Sequence, residues 1–338
     1  MGPGRPTLSG MARSHLTLAA LATSAVAELD LVSAAEFGSR TDNEYDSALL
    51  TGRDGRHWII RVPRNAAAEA AQSADLVALR AISAGVRTRL PFQVSTFVGQ
   101  TPISGTRAVV YEFVYGTKFS LAQVDDTLAS SIGTSLAALH ALPTSFVTDA
   151  GLPVHGTVEC LRAVVSIIDR AAATGLVPAP LLTRWESASE DSKLWQFQPT
   201  VINGALNSDS FLAAEGRVTG VLGWQELRVG DPARDLAWLL ADPGVADVVL
   251  DRYVAKRDGS DRQVRQRATL YSELEVARWL LHGTEQRSTA IVDDAVSMLD
   301  GLVDDVQNDV MNPIGAQTMP TMAIDEVEAF LDRNERAV

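Results

Sequence analysis

The sequence predicts an α+β fold in two lobes, a small β-rich N-terminal lobe and a larger, mainly helical C-terminal lobe. Three observations carry this. Residues 30–113 read in the order strand, strand, helix, strand, strand, which suits an α+β unit. From Leu121 onward the apolar residues fall at helical spacing instead. The 338 residues suffice for two lobes around a sizeable core.

Taken in order, residues 1–10 are rich in Gly, Pro and Ser and read as disordered. Residues 16–27 follow Arg13 and end in a small-x-small pattern, which fits a signal-peptide apolar region or a first amphipathic helix. Thr17, Thr23, Ser24 and the many alanines weaken the apolar run and favour the helix, with Leu16, Ala19, Ala20 and Ala27 on one face. Residues 1–28 therefore form a disordered start and a first helix.

Residues 29–115 make up the N-terminal lobe. Ala48–Thr51, the turn Gly52–Gly55 and His57–Val62 predict a hairpin, and Pro63 stops its second strand. Ala66–Ile82 is alanine-rich and helix-favouring, with Ala71, Leu76, Leu79 and Ile82 roughly on one side. Pro91–Val94 and Arg107–Phe113 are further short strands. Residues 116–307 form the helical lobe. Ile132, Leu136, Leu139 and His140 share a face that Pro143 ends. Helices are expected over 160–173, 180–190, 232–240, 245–255, 261–281 and 289–307. Residues 308–320 read as a linker. A final amphipathic helix starts near Thr321, with Ala323, Val327, Phe330 and Leu331 on one face. So short a helix must dock, on its own lobe or in a partner's groove.

Composition excludes several classes. The chain is 46% hydrophobic and 21% charged, as soluble globular proteins are, and its net charge is −13. Such a chain repels nucleic acid and anionic membrane, so neither is expected as a partner. Cys160 is the single cysteine, so no internal disulfide forms, and a cytoplasmic location fits. The five histidines show no metal-ligand spacing. No run of about 20 apolar residues offers a membrane span.

The helical half is interrupted once. Val201–Ile202 lead into the polar loop Asn203-Gly-Ala-Leu-Asn-Ser-Asp-Ser210, and Phe211–Leu212 leave it. A turn at Ala214–Gly216 follows, then the strand Val218–Leu222 and Gly223-Trp224. This layout resembles the catalytic loop and metal-binding strand of the aminoglycoside and macrolide phosphotransferase family, whose fold is protein-kinase-like. Trp58-Ile-Ile-Arg-Val-Pro-Arg64, Arg89-Leu-Pro-Phe92, Leu136–Pro143 and Val229-Gly-Asp-Pro-Ala-Arg-Asp-Leu-Ala237 resemble further family segments in the right order. The resemblance runs from Leu29 to Val303.

The family's loop reads His-Gly-Asp-Leu, with an Asn or His six residues after the Gly, and its next strand ends Ile-Asp-Trp. Here Asn203 stands for the His and Ala205 for the catalytic Asp. Ser210 stands for one metal ligand and Gly223 for the metal-binding Asp. Phosphoryl transfer rests on positioning and on metal ions that neutralise phosphate charge. Ala205 accepts no proton, and Gly223 offers no side chain to magnesium. No catalytic residue and no metal site are therefore expected.

The resemblance implies other roles. Arg61 becomes the nucleotide-facing basic residue, directed inward under the phosphates rather than out to solvent. Its acidic partner on the next helix is taken as Asp75, with Ser73 and Glu69 nearby. Glu112, Phe113 and Val114 form the hinge whose backbone would meet a purine, or else an ordinary buried strand. The phosphate-covering turn Gly38–Glu44 has one glycine and, with Asp46, three acidic residues, which repel triphosphate. Asp231 is expected to cap a helix and Asp235 to brace the catalytic loop. His140 and Trp224 are expected in the core.

The function read from this is a phosphotransferase-family protein that has lost catalysis and serves as a pseudokinase-type binding or interaction module. No cofactor is required, though ATP or GTP without Mg2+ stays open. The partner is a protein or small molecule of unknown identity. The alternative is an active antibiotic-type phosphotransferase using ATP or GTP, with metal ligands relocated to Asp209 or Glu226.

Overall fold

The computed structural model describes residues 13–38, 44–257, 261–308 and Ile314. The expected disordered start and the C-terminal helix from Thr321 lie outside the described residues, as does the expected linker except for Asn308, which ends a helix, and the buried Ile314. The chain packs into two compact units. Among the described residues, one comprises those up to Arg162 together with those from Phe197 to Ser272. The other comprises Ala163–Gln196 and the described residues from Glu273 onward.

The first unit holds helix α1 (His15–Ala25) and a five-stranded antiparallel sheet in the order β1 (Leu31–Glu36), β2 (Tyr45–Gly52), β3 (His57–Pro63), β6 (Thr106–Glu112), β5 (Phe97–Ile103). Ser14 caps α1 by accepting the Thr17 N–H. Leu18 and Ala22 of α1 pack onto Ala48, Leu50, Trp58, Ile60, Val62, Ala108 and Val110. This corrects the face expected for α1, since Leu16 is 68% exposed. Leu16, Leu18 and Leu21 make the period ambiguous, and the sheet selects Leu18 with the residue four positions on.

Helix α2 (Ala66–Ala81) is capped by Asn65 Oδ1, which accepts from Ala68 N–H at 2.8 Å. It buries Leu76 and Leu79, and Ile82 is buried just beyond it. Alternating burial along β2 and β3 puts Ile60 and Val62 on the α1 side and Arg61 on the other. The short helix α3 (Ala84–Arg87) leads to β4 (Gln93–Val94). Strand β4 does not join the five-stranded sheet. It runs parallel beside β9 (Arg217–Val221), which pairs antiparallel with β8 (Phe211–Ala214). Strand β5 is absent from the sequence expectation because Gly99, Thr101 and Pro102 blur its alternation.

The rest of this unit is built on helices. Helix α4 (Asp126–His140) buries Ile132, Leu136, Leu139 and His140, as its spacing predicts. Helix α5 (Ser145–Asp149) is a single turn, and the first part of α6 (Thr157–Ala172) follows. Strand β7 (Thr200–Ile202) pairs with β10 (Arg228–Gly230). Residues Pro232–Ala241 wind as a 3₁₀ helix, a distinction that the apolar spacing of ten residues does not make. Helix α8 (Pro243–Lys256) and the start of α9 (Val264–Gln286) complete the unit.

The second unit contains the later turns of α6 and α9 with α7 (Ala179–Glu190) and α10 (Thr289–Asn308). Its polar centre is Glu273, gripped by Arg184 through Nε and Nη2 and by Trp185 Nε1 at 2.8 Å. Trp185 is fully buried, so this bond satisfies an indole N–H that water cannot reach. The chain thus has a sheet-rich N-terminal part and a helical C-terminal part, and no described helix is long and apolar enough to cross a membrane.

Candidate functional site

Strand β7 is buried along its length and delivers a fully buried Asn203 to the loop. The Asp235 carboxylate, also fully buried, receives two consecutive backbone donors there. Asn203 N–H donates to Oδ2 at 2.8 Å and Gly204 N–H to Oδ1 at 2.7 Å. His140 Nε2 lies 3.2 Å from the same Oδ2, and its Nδ1 shares a hydrogen bond of 2.9 Å with the Tyr253 hydroxyl. The carboxylate therefore holds the loop backbone to α4 and α8. Four residues earlier, Asp231 caps the 3₁₀ helix through Ala233 N–H and accepts from Arg267 Nε at 2.8 Å. Arg267 also reaches Asp261 and lies 4.3 Å from the Phe197 ring, so its buried charge is neutralised on several sides.

Asn203 adds a link that the sequence did not suggest. Its Nδ2 donates to the Gly223 carbonyl at 2.8 Å, and its Oδ1 accepts from Ala205 N–H at 3.2 Å. One amide thus ties the loop to the end of β9. Ala205, expected from the resemblance to stand where the family has its catalytic Asp, is exposed and presents a methyl group to solvent. Ser210 is held in a reciprocal cap with Asn207: each side chain meets the other's backbone N–H. Gly223 has φ +74, a left-handed conformation that favours glycine, and a Cβ there would meet only Gln225 at 3.4 Å.

After Gly223, Trp224 is buried against Phe92, and its backbone N–H donates to Asp75 Oδ1 at 2.8 Å. Burial raises the Asp75 pKa above the usual carboxylate range, while the Trp224 N–H and the Arg61 charge pull it back. Arg61 is therefore near enough to act on Asp75 electrostatically, yet no ion pair within 4 Å joins them. The Arg61 guanidinium lies 5.6 Å from the Tyr45 ring instead. Ser73 accepts from Arg107 at 3.2 Å.

In the segment expected as a hinge, Glu112 N–H donates to Thr96 O and Phe113 N–H to His57 O. The Glu112 side chain pairs with Arg56 at 2.9 Å. Val114 is buried, and among the described residues its backbone N–H has no hydrogen-bond partner. Phe113 stands edge-on to Phe37 and to Tyr115, with centroids 6.1 and 4.9 Å away. A cavity of about 440 Å³ adjoins these residues, lined by Arg56, His57, Phe92, Glu112, Phe113 and Tyr115 among others. Of the turn expected to cover a phosphate, residues 39–43 lie outside the described residues.

Among the described residues no group of three or more His, Cys, Asp or Glu is placed to hold a metal ion. Asp209 lies 3.5 Å from Lys118 Nζ, and Glu226 pairs with Arg228 at 2.8 Å, so both candidate relocated ligands face cations already. Sequence reasoning also passed over Arg228 and Arg234, which both reach the Gly204 carbonyl. Their positions give no signal along the chain, because they meet only through the fold.

The profile of a family described as "Phosphotransferase enzyme family" matches residues 34–280. Macrolide 2'-phosphotransferase type I has a similar structure, with a TM-score of 0.67 and 24% identity over 86% of this chain and 99% of that one. The macrolide 2'-phosphotransferase MphH of Brachybacterium faecium, as apoenzyme, gives a TM-score of 0.66 and 22% identity over 83% of this chain and 96% of its own. The GDP complex of wild-type aminoglycoside 2'-phosphotransferase-IIIa gives 0.68 and 18% identity over 88% of this chain and 100% of its own. By sequence, the uncharacterized protein YcbJ of Bacillus subtilis (strain 168) is 25% identical over 207 residues, 58% of this chain and 67% of that protein. These likenesses show the kinase-like fold of aminoglycoside phosphotransferases.

Proposed function

Since the chain belongs to the phosphotransferase enzyme family, we propose that it keeps the family's fold as a ligand-binding or interaction module and no longer transfers phosphate. One observation carries this reading. The loop is braced by Asp235, His140 and Asn203, while Ala205, Ser210 and Gly223 stand where the resembling family's pattern has its base and metal ligands. A general base contributes roughly 10²–10⁴-fold to such a reaction. Metal ligands position and neutralise the phosphates as well. Asp209 and Glu226 offer poor substitutes, because a metal would have to displace Lys118 and Arg228.

Nucleotide binding, where it occurs, rests on backbone and on Arg61. The Val114 N–H suits a purine edge, and Arg61 suits phosphate. Without metal ligands the binding is weak and independent of magnesium. A soluble, cytoplasmic protein whose ligand is a small molecule or a protein partner fits this reading. A thermal-shift series with ATP and GTP, with and without magnesium, tests it. Small shifts that ignore magnesium support it, and a shift that requires magnesium counts against it.

A further inference from the structure

Two arginines from different elements converge on one carbonyl of the loop. Arg234, in the 3₁₀ helix, donates from Nε to Gly204 O at 2.7 Å. Arg228, the first residue of β10, reaches the same oxygen from Nη2 at 3.5 Å. The carbonyl belongs to the residue just before Ala205. Bringing two guanidinium groups together in a partly buried place is unfavourable unless anions match them. Burial and then the Arg234 charge lower the Arg228 pKa, which is the physical mark of that crowding.

The chain matches them incompletely. Arg228 has one carboxylate partner, Glu226, whose side chain is 50% exposed, while that of Arg228 is 16% exposed. The Arg228 Nε is buried with no hydrogen-bond partner. Arg234 uses only Nε, and among the described residues no carboxylate lies within ion-pair distance of it. Asp235 adjoins the pair, but its two oxygens are taken by Asn203, Gly204 and His140. Gly204 lets the Arg228 guanidinium and the Glu226 backbone approach the loop closely. Its φ is +87, and a Cβ there would fall 2.7 Å from the Glu226 carbonyl and 2.8 Å from Arg228 Nε and Nη2. Ala205 brings no carboxylate that would repel an anion.

We propose that Arg228 and Arg234 form a binding site for a phosphate group, held directly by guanidinium donors and without a metal ion. The planar guanidinium fork matches phosphate oxygens geometrically and stays charged at every relevant pH. Glu226 acts as the internal competitor: an arriving phosphate displaces this half-exposed carboxylate from Arg228. The site goes beyond the binding-module reading, because it names a ligand chemistry for the loop itself.

The test is titration calorimetry of the full chain with inorganic phosphate against chloride at equal ionic strength. The wild type, Arg234→Gln and Glu226→Gln are compared, and each variant's melting curve without phosphate confirms that it folds. Wild type binds phosphate, Arg234→Gln binds it roughly tenfold or more weakly, and Glu226→Gln binds it more tightly. Absence of binding in both wild type and Glu226→Gln, or equal binding by Arg234→Gln, overturns the proposal. ADP and GDP without magnesium separate the two sources of the group. Nucleotide binding that falls in Arg234→Gln makes a nucleotide's phosphate the ligand, and binding lost only in Arg61→Ala leaves the loop site to free phosphate. Phosphoryl transfer by the protein would refute the loss of catalysis while leaving the Arg234→Gln comparison to decide this site.

Discussion

Replacing Asp235 by alanine should remove most of what fixes the loop. The carboxylate is fully buried and accepts two backbone N–H groups at 2.8 and 2.7 Å, with His140 at 3.2 Å. An unsatisfied buried donor costs about 1–3 kcal/mol. Two stranded backbone donors and a His140 Nε2 left without its partner therefore predict a loss of about 3–5 kcal/mol in Asp235→Ala. Set against a typical total of about 5–15 kcal/mol, that loss is severe. Asp235→Asn keeps one acceptor oxygen but turns an NH₂ group toward the second N–H, so about half of the loss is expected. Urea unfolding followed by tryptophan fluorescence reads both, since Trp224 is buried one residue beyond the Asn203–Gly223 link. A loss below about 1 kcal/mol in Asp235→Ala would refute the bracing role.

Two further outcomes are expected. Asp75→Asn keeps an acceptor for the Trp224 N–H and removes a buried charge. The folded carboxyl has a pKa above its unfolded value of about 3.9, so its favourable contribution is present at low pH and lost as pH rises through the folded value. Asp75→Asn should then be at least as stable as wild type at pH 7, with a flatter pH profile; a variant clearly less stable at pH 7 would show that pairing with Arg61 outweighs burial. For Cys160, burial first and then Asp231 push the thiol up to about 11. Alkylation of the native protein at pH 8 should be about 200-fold slower than for a free thiol near 8.5, from the thiolate fraction alone. Rapid labelling followed by mass spectrometry would contradict this.

The fold was legible because its signals are local. The hairpin over 48–62, the Ile132–His140 face and the turn before Val218 each lie within one element or one connection, where period and turn chemistry suffice. Strand β5 escaped because Gly99 and Pro102 interrupt its alternation, and β4 reads as a strand without showing that its neighbour is β9, over 120 residues away in sequence. The α1 face escaped because three leucines fit more than one face. At the loop, the identities of Asn203, Ala205, Ser210 and Gly223 were visible as departures from a family pattern. What Asn203 does was not, because its bond to Gly223 spans 20 residues. The His140–Asp235 contact spans 95 residues, and Arg228 and Arg234 carry no signal of their own along the chain. Those links are made by packing, and no periodicity encodes them.

The central claim, that the braced loop no longer performs phosphoryl transfer, is tested most directly by a product assay. Pure protein is incubated with ATP or GTP, magnesium and a panel of macrolides and aminoglycosides, and the products are identified by mass spectrometry. No phosphorylated product above the enzyme-free control is expected, because Ala205 and Gly223 supply neither base nor metal ligand. A magnesium-dependent phosphorylated product, abolished by Asp209→Ala or Glu226→Ala, would contradict the claim and identify a relocated ligand.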